Sequence, residues 1–195
     1  MAPSIPFTTW VHFVIEFRSD PPHNLTVQVV IGFGGNLGNV EAAFQAARRH
    51  LASRWQIVAC AKVYRTRPIG PKQPDFLNSA VRLEGDGGLS RLLDECRTAE
   101  SAAGRNRAAE MRWGPRTLDI DVLLVRDCVR RGPLLEVPHP RFHERAFAIL
   151  PAADVAPRWM HPLLGRTVGQ LADEVSPDAL DGVEAIDSRG WFDGN

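Results

Sequence analysis

The chain has 195 residues, 44% of them apolar, and its 23 basic and 23 acidic side chains cancel at neutral pH. That length holds one domain with a sizeable core and at most a small appendage. Zero net charge excludes a binder of nucleic acid or acidic membranes held by bulk electrostatics, so any anion site must be built locally. Cys60, Cys96 and Cys128 are odd in number, widely spaced and form no CxxC pair. They support neither a disulfide framework nor a zinc knuckle, and point to a reducing cytoplasm. The early apolar stretch 10–17 is interrupted by His12 and Glu16 and follows no basic run, so it reads as neither a membrane span nor a signal peptide. Of the 23 basic residues 21 are Arg. A GC-rich genome explains that bias as a whole, so only the positions of individual arginines carry argument.

In chain order, residues 1–25 read as an N-terminal extension: an alternating stretch over 9–14 is a short strand or disordered, and 20–24 close it as a turn. The β-branched run 27–31 predicts a strand, and Gly32 to Gly38 predicts a glycine-rich turn after it. Asn39 is placed to cap a helix over 40–53, whose Ala43, Phe44, Ala47 and Leu51 fall at helical spacing. A second strand is predicted over 57–64, a Pro-rich connection over 66–75, and a third strand over 76–83. A helix over 89–103 follows, with Leu92, Leu93, Cys96 and Ala99 as one stripe and Gly104 as its C′ residue. The fourth strand is predicted over 118–125. The order β-α-β-β-α-β is the ferredoxin-like plan. Beyond it come a short basic hairpin over 126–137, a Pro/His/Arg-rich helix start over 138–150, a small helix near 167–175 and a loose tail over 176–195. The expected domain is therefore 26–175.

Asp119 and Asp121 lie two apart in an apolar strand, so both side chains leave one face. Aspartate is a poor strand former, and two like charges on one face repel unless a cation is shared. Hard oxygen donors few in number suit Mg²⁺ that also takes phosphate oxygens. Just upstream, Arg105, Arg107, Arg112 and Arg116 lie in a Gly- and Pro-containing loop. Guanidinium forks beside such a metal are equipment for stabilising charge on a transferring phosphoryl group. The plainer alternative pairs them with Glu100, Glu110 and Asp119 in a solvated loop. Phe76 and Asn78, two apart on a strand, can present a ring face and an amide to a flat heterocycle. His139 and His143 lie four apart without a third ligand, and His139 and Phe147 taken alone read as core.

As a set, Gly34-Gly35-Asn36-Leu37-Gly38, Tyr64-Arg65-Thr66, Gln73-Pro74-Asp75-Phe76-Leu77-Asn78, the block Arg112-Trp113-Gly114-Pro115-Arg116-Thr117-Leu118-Asp119-Ile120-Asp121, and Val137-Pro138-His139-Pro140-Arg141 resemble the 6-hydroxymethyl-7,8-dihydropterin pyrophosphokinase family of folate biosynthesis. The resemblance covers about 27–162. It implies a three-layer αβα sandwich on the ferredoxin-like core, and transfer of pyrophosphate from ATP to a pterin hydroxymethyl group with AMP as second product. Asp119 and Asp121 match the acids holding two Mg²⁺ ions. Arg105 and Arg116 match phosphate-contacting arginines, and Arg107 and Trp113 lie in a closing loop. Asn78, Phe76 and Phe147 match the pterin amide and its two stacking rings. Thr66 and Ile69 lie where main-chain atoms meet the pterin, and His139 and Arg145 lie near ATP. Asp121 is the nearest candidate for a general base. The implied partners are these two small molecules, with no nucleic acid and no membrane, and the implied state a cytoplasmic monomer.

This chain departs from the family pattern at Gly35, where Ser is usual, and at Arg67, where Pro follows the Thr. Leu134 and Glu136 replace a nucleotide-contacting Arg and a Thr-like residue. Those two positions motivate a rival reading as a non-catalytic pterin or nucleotide binder. The ferredoxin-like sheet motivates a second rival, a single-stranded RNA module, although RNP-type aromatic strands are absent.

Overall fold

The computed structural model describes residues 15–16, 26–105, 113–188 and 190–192. The strand expected over 9–14 and the loop residues Arg107 and Arg112 lie outside them. The short strand β1 (Ile15–Glu16) pairs in parallel with β7 (Cys128–Val129). The central strand β2 (Val27–Gly35) runs straight through the glycines expected to turn. It is bonded along both edges, to β5 (Phe76–Gly85) and β6 (Asp119–Val125), and two ladders hold Gly32–Gly34 extended, with Gly35 held by β5 alone. The turn is therefore confined to the residues after Gly35. Asn39 accepts from the Ala42 N–H at 3.0 Å and starts α1 (Val40–Ala52), which buries Val40, Phe44, Ala47 and Leu51.

The stretch expected as one strand over 57–64 is two, β3 (Gln56–Cys60) and β4 (Val63–Thr66), both antiparallel to β5. Gln56 faces Glu84 and Ala59 faces Arg82, but Tyr64 faces Asn78, so the register slips twice along the run. Each slip inserts an extra residue against β5 and bends the strand. Helix α2 (Leu89–Ala102) follows, and Gly104 takes φ +84° after it, as its C′ role demands. The hairpin expected over 126–137 is reduced to β7 and a single antiparallel bridge between Arg130 and Val137. In place of a helix over 138–150, a 3₁₀ turn (Phe142–Glu144) leads into α3 (Ala146–Val155). Two prolines so close together, Pro138 and Pro140, disfavour helical backbone before each, so α3 begins only beyond them, although it holds Pro151 farther along.

Strands β8 (Met160–His161) and β9 (Arg166–Thr167) form a two-stranded ribbon, and α4 (Val168–Asp173) starts from a Thr167/Gln170 capping box. The expected loose tail contains α5 (Pro177–Leu180) and β10 (Val183–Ile186), and β10 pairs antiparallel with β4. The sheet order is β10-β4-β5-β2-β6, with β3 also on β5. The chain is thus a mixed α/β unit around an antiparallel sheet. One face packs Val29, Ile31 and Phe33 against Phe44, Leu51 and Leu92 of α1 and α2. The other packs Val30, Ala80 and Leu124 against Ile149, Ala152 and Leu171 of α3 and α4. Among the described residues no helix is long and apolar enough to cross a membrane.

Candidate active site

The site grows from two glycines. Gly34 stands between Asn78 on β5 and Asp119 on β6, and Gly32 between Ala80 and Asp121, all on the sheet face that α3 covers. A Cβ on Gly34 would lie 3.3 Å from Asn78 Oδ1, and one on Gly32 would lie 3.1 Å from Leu123 Cδ1. Because both positions lack a side chain, the middle of β2 is the floor of an open trough. Its two walls come from the neighbouring strands.

On one wall Asn78 is buried and donates through Nδ2 to Thr66 Oγ1 at 2.8 Å. That bond orients the amide and leaves its Oδ1 toward the trough above Gly34. Phe76 from β5 and Phe147 from α3 both line the same pocket, with Ile69 and Trp113. Ile69 is 61% exposed, an apolar side chain left at the mouth. The guanidinium of Arg145 lies 5.5 Å from the Phe147 ring centroid.

On the other wall, Asp119 accepts from Arg116 Nη1 at 2.6 Å through one oxygen and from Arg105 Nη1 through the other. Arg105 is buried between Asp119 and Glu100, whose carboxylate also accepts the Ile120 N–H at 2.9 Å. Arg105 and Arg116 therefore pair with Glu100 and Asp119, as the plainer alternative held, but in a largely buried cluster beside the pocket and not in solvent. Burial and the adjacent Asp119 charge push the Asp121 carboxyl up to about 6, against the opposing pull of Arg145. Among the described residues no donor hydrogen-bonds it. An acid so destabilised as an anion, beside a second carboxylate on the same strand face, fits a divalent cation with oxygen ligands. No cluster of three or more His, Cys, Asp or Glu ligands occurs among the described residues, so further oxygens would have to come from the ligand or water. Arg116 Nε is buried without a partner, a donor suited to an incoming oxyanion. His139 lines the pocket with its Nδ1 accepting from the Arg141 N–H at 3.1 Å. Burial and the cations Arg145 and Arg141 lower its pKa, so it stands neutral at pH 7.

The tertiary structure thus gathers Thr66, Ile69, Phe76, Asn78, Trp113, Arg116, Asp119, Asp121, His139, Arg145 and Phe147 around one pocket. Arg105 reaches it through Asp119, and Arg107 lies outside the described residues. His139 and Phe147, core residues when read alone, face the trough. His143 instead packs edge-on to His161, with ring centroids 6.1 Å apart.

Two residues do more than the sequence suggested. Glu100 falls four residues after Cys96 on the apolar stripe of α2, and a charge on a buried face was the available signal. Asn36 is buried and ties three loops. Its Nδ2 donates to Gln73 Oε1 at 3.0 Å and to the Pro74 carbonyl at 2.9 Å, while its Oδ1 accepts the Arg116 N–H at 2.9 Å. Gln73 in turn donates to the Trp113 carbonyl at 2.7 Å. Trp113 sits at φ +65°, a costly conformation for a tryptophan, with the Arg141 guanidinium 5.6 Å from its ring centroid.

Comparison with known proteins places this geometry. Residues 30–157 match the family model for 7,8-dihydro-6-hydroxymethylpterin-pyrophosphokinase. A 2-amino-4-hydroxy-6-hydroxymethyldihydropteridine pyrophosphokinase from Synechocystis is 37% identical over 153 residues, covering 77% of this chain and 77% of that one. One from Methylorubrum extorquens is 37% identical over 157 residues, covering 79% and 97%. The crystal structure of wild-type Plasmodium falciparum HPPK-DHPS with pteroate superposes with a TM-score of 0.63 at 12% identity, over 86% of this chain. This chain spans 48% of that one, and the likeness carries the fold alone. With its trough, its paired strand acids and its ordered motifs all falling inside the matched span, the chain belongs to the 7,8-dihydro-6-hydroxymethylpterin-pyrophosphokinase family.

Proposed function

We propose that this chain transfers pyrophosphate from ATP to 6-hydroxymethyl-7,8-dihydropterin, giving the pterin diphosphate and AMP for folate biosynthesis. The observation that carries the reading is the trough itself: a heterocycle-reading amide and two rings face two acids and two arginines across strand positions emptied by Gly32 and Gly34. Phe76 and Phe147 hold the pterin between their faces, Asn78 reads its edge, and Thr66 and Ile69 meet it through main-chain atoms. Arg105, Arg116, His139 and Arg145 take the nucleotide, and Arg107 and Trp113 belong to the loop that closes over it. Asp119 and Asp121 would hold two Mg²⁺ ions, which when bound screen the phosphate oxygens.

The chain's own work is positioning and charge neutralisation. The pterin hydroxyl oxygen is held in line with the β-phosphorus. As its bond to phosphorus forms, the bond from that phosphorus to the oxygen retained by AMP breaks. The hydroxyl proton leaves toward Asp121, and the arginines take up the charge. In the free arrangement Arg105 and Arg116 neutralise Asp119. A polyphosphate competes for those guanidinium donors, which releases the carboxylate for the metal.

We further read the chain as a cytoplasmic monomer with its pyrophosphokinase domain over 26–175, an extension before it and a C-terminal segment that adds β10 to its sheet. The domain is a three-layer αβα sandwich on the ferredoxin-like plan, a reading supported by the sheet order and the two cores on opposite faces. Incubation with ATP, Mg²⁺ and the reduced pterin alcohol, followed by phosphorus NMR, tests the function. AMP and a pterin diphosphate are expected. ADP, or no pterin-dependent turnover, refutes it.

A further inference from the structure

The family match ends at residue 157, yet β10 beyond it is part of the main sheet. It lies on the open edge of β4, with Val183 opposite Thr66 and Glu184 opposite Arg65. The Arg67 N–H donates to the Gly182 carbonyl at 3.3 Å. At the far end the Val63 N–H donates to Ser188 Oγ at 3.2 Å, and Trp191 packs edge-on to Phe44 of α1 at 6.1 Å between centroids. Both ends of β4 are thus held from outside.

Arg67 lines the pocket mouth, and its Nη1 donates to Asp181 Oδ2 at 2.8 Å. Gly182, at φ +72°, brings its backbone against the Arg67 side chain so closely that a Cβ would fall 2.7 Å from Arg67 Cδ. A proline at position 67 would have no N–H to give Gly182. The Arg67 amide and side chain therefore join the pocket mouth to β10.

We propose that β10 is a strap that positions β4 and the pterin side of the pocket, with Arg67 as the positioning residue that joins the two. The inference rests on the proposed function for the identity of the ligand. The ion pairs Arg67–Asp181 and Arg65–Glu184 are exposed on both sides and contribute little. The strand ladder and the tight Gly182 turn do the holding, so their loss is what must be tested.

In the full-length chain, Glu184→Pro removes the N–H that position 184 can give to the Arg65 strand, and Glu184→Gln removes only the charge. Pterin and Mg²⁺ with a non-hydrolysable ATP analogue are titrated separately, and hydrogen exchange is followed at the Arg67 amide. Glu184→Pro is expected to weaken pterin binding about tenfold while nucleotide binding and kcat at saturating pterin stay within about twofold. The Arg67 amide should exchange faster, and Glu184→Gln should match wild type. Gly182→Val acts on the turn alone and repeats the test if the proline variant does not fold. Pterin affinity unchanged despite a released Arg67 amide overturns the proposal, as does an equal loss of both ligands. Wild-type chain that binds no pterin refutes the proposed function instead, and the Arg67 amide still reports whether β10 holds β4.

Discussion

Gly34→Ala separates the site from the fold, because the site loses affinity while stability stays nearly level. The new Cβ would stand 3.3 Å from Asn78 Oδ1 and 3.9 Å from Asp119 Cβ. The first distance is too tight to accept without movement, so the Asn78 amide must turn. Turning it breaks the 2.8 Å bond to Thr66 and misaligns the group expected to read the pterin. Losing the matching ligand contact costs about 1–2 kcal/mol, or roughly a five- to thirtyfold weaker pterin complex. Stability stays nearly level, since the buried Asn78–Thr66 bond lost to the fold, worth about 0.5–1.5 kcal/mol, is offset by the about 0.5–1 kcal/mol of backbone entropy that alanine saves in a strand relative to glycine. Calorimetric titration with the pterin, a second titration with Mg²⁺ and an ATP analogue, and thermal unfolding read the three effects. Gly34→Val, whose branches fill the trough, should abolish pterin binding. If Gly34→Ala binds pterin as tightly as wild type, or loses nucleotide affinity equally, the trough is not the pterin site.

Asp119→Ala and Asp121→Ala should each collapse activity and the Mg²⁺-dependent part of nucleotide affinity, which titrations with and without Mg²⁺ will show. Arg116→Ala should lose mainly kcat, by about 10² or more, with pterin affinity retained, and Arg116→Lys should restore little because a point charge cannot copy a fork. Single-turnover kinetics decide between that outcome and a change confined to KM. His161 is buried against Phe142 with neither ring nitrogen hydrogen-bonded, and burial, aided by His143, brings its pKa down to about 4. The unfolded chain binds the proton first, so the folded state keeps full stability above pH ~6.5 and loses ~2–3 kcal/mol as pH falls to ~4.5. His161→Phe should remove that part of the acid slope in denaturant titrations, and an unchanged slope would show that His161 does not titrate this way.

Much of this was legible residue by residue. The β-branched run at 27–31, the Asn39 cap, the α2 stripe and the apolar strand carrying Asp119 and Asp121 are local patterns, and each formed where its period predicted. The block from Arg112 to Asp121 marked the charged side of the pocket for the same reason: same-face carboxylates and loop guanidinium groups are chemistry that spacing alone reveals.

What only the tertiary structure decided depended on partners distant in sequence. Gly32–Gly35 read as a turn by composition, and became the trough floor because β5 and β6 bond β2 on both edges. One alternating run became β3 and β4 because β5 imposes its register. His139 and Phe147 reach the pocket because the chain after β6 returns across the sheet, with Phe147 still packed on the core, and Asn36 acquired its role only where three loops meet. The segment after 175 has a composition suited to a tail, yet an unpaired β4 edge is a standing demand for a strand, and residues 183–186 meet it. Local preference follows from the side chain at each position; pairing follows from which backbone groups are left open when the chain has folded.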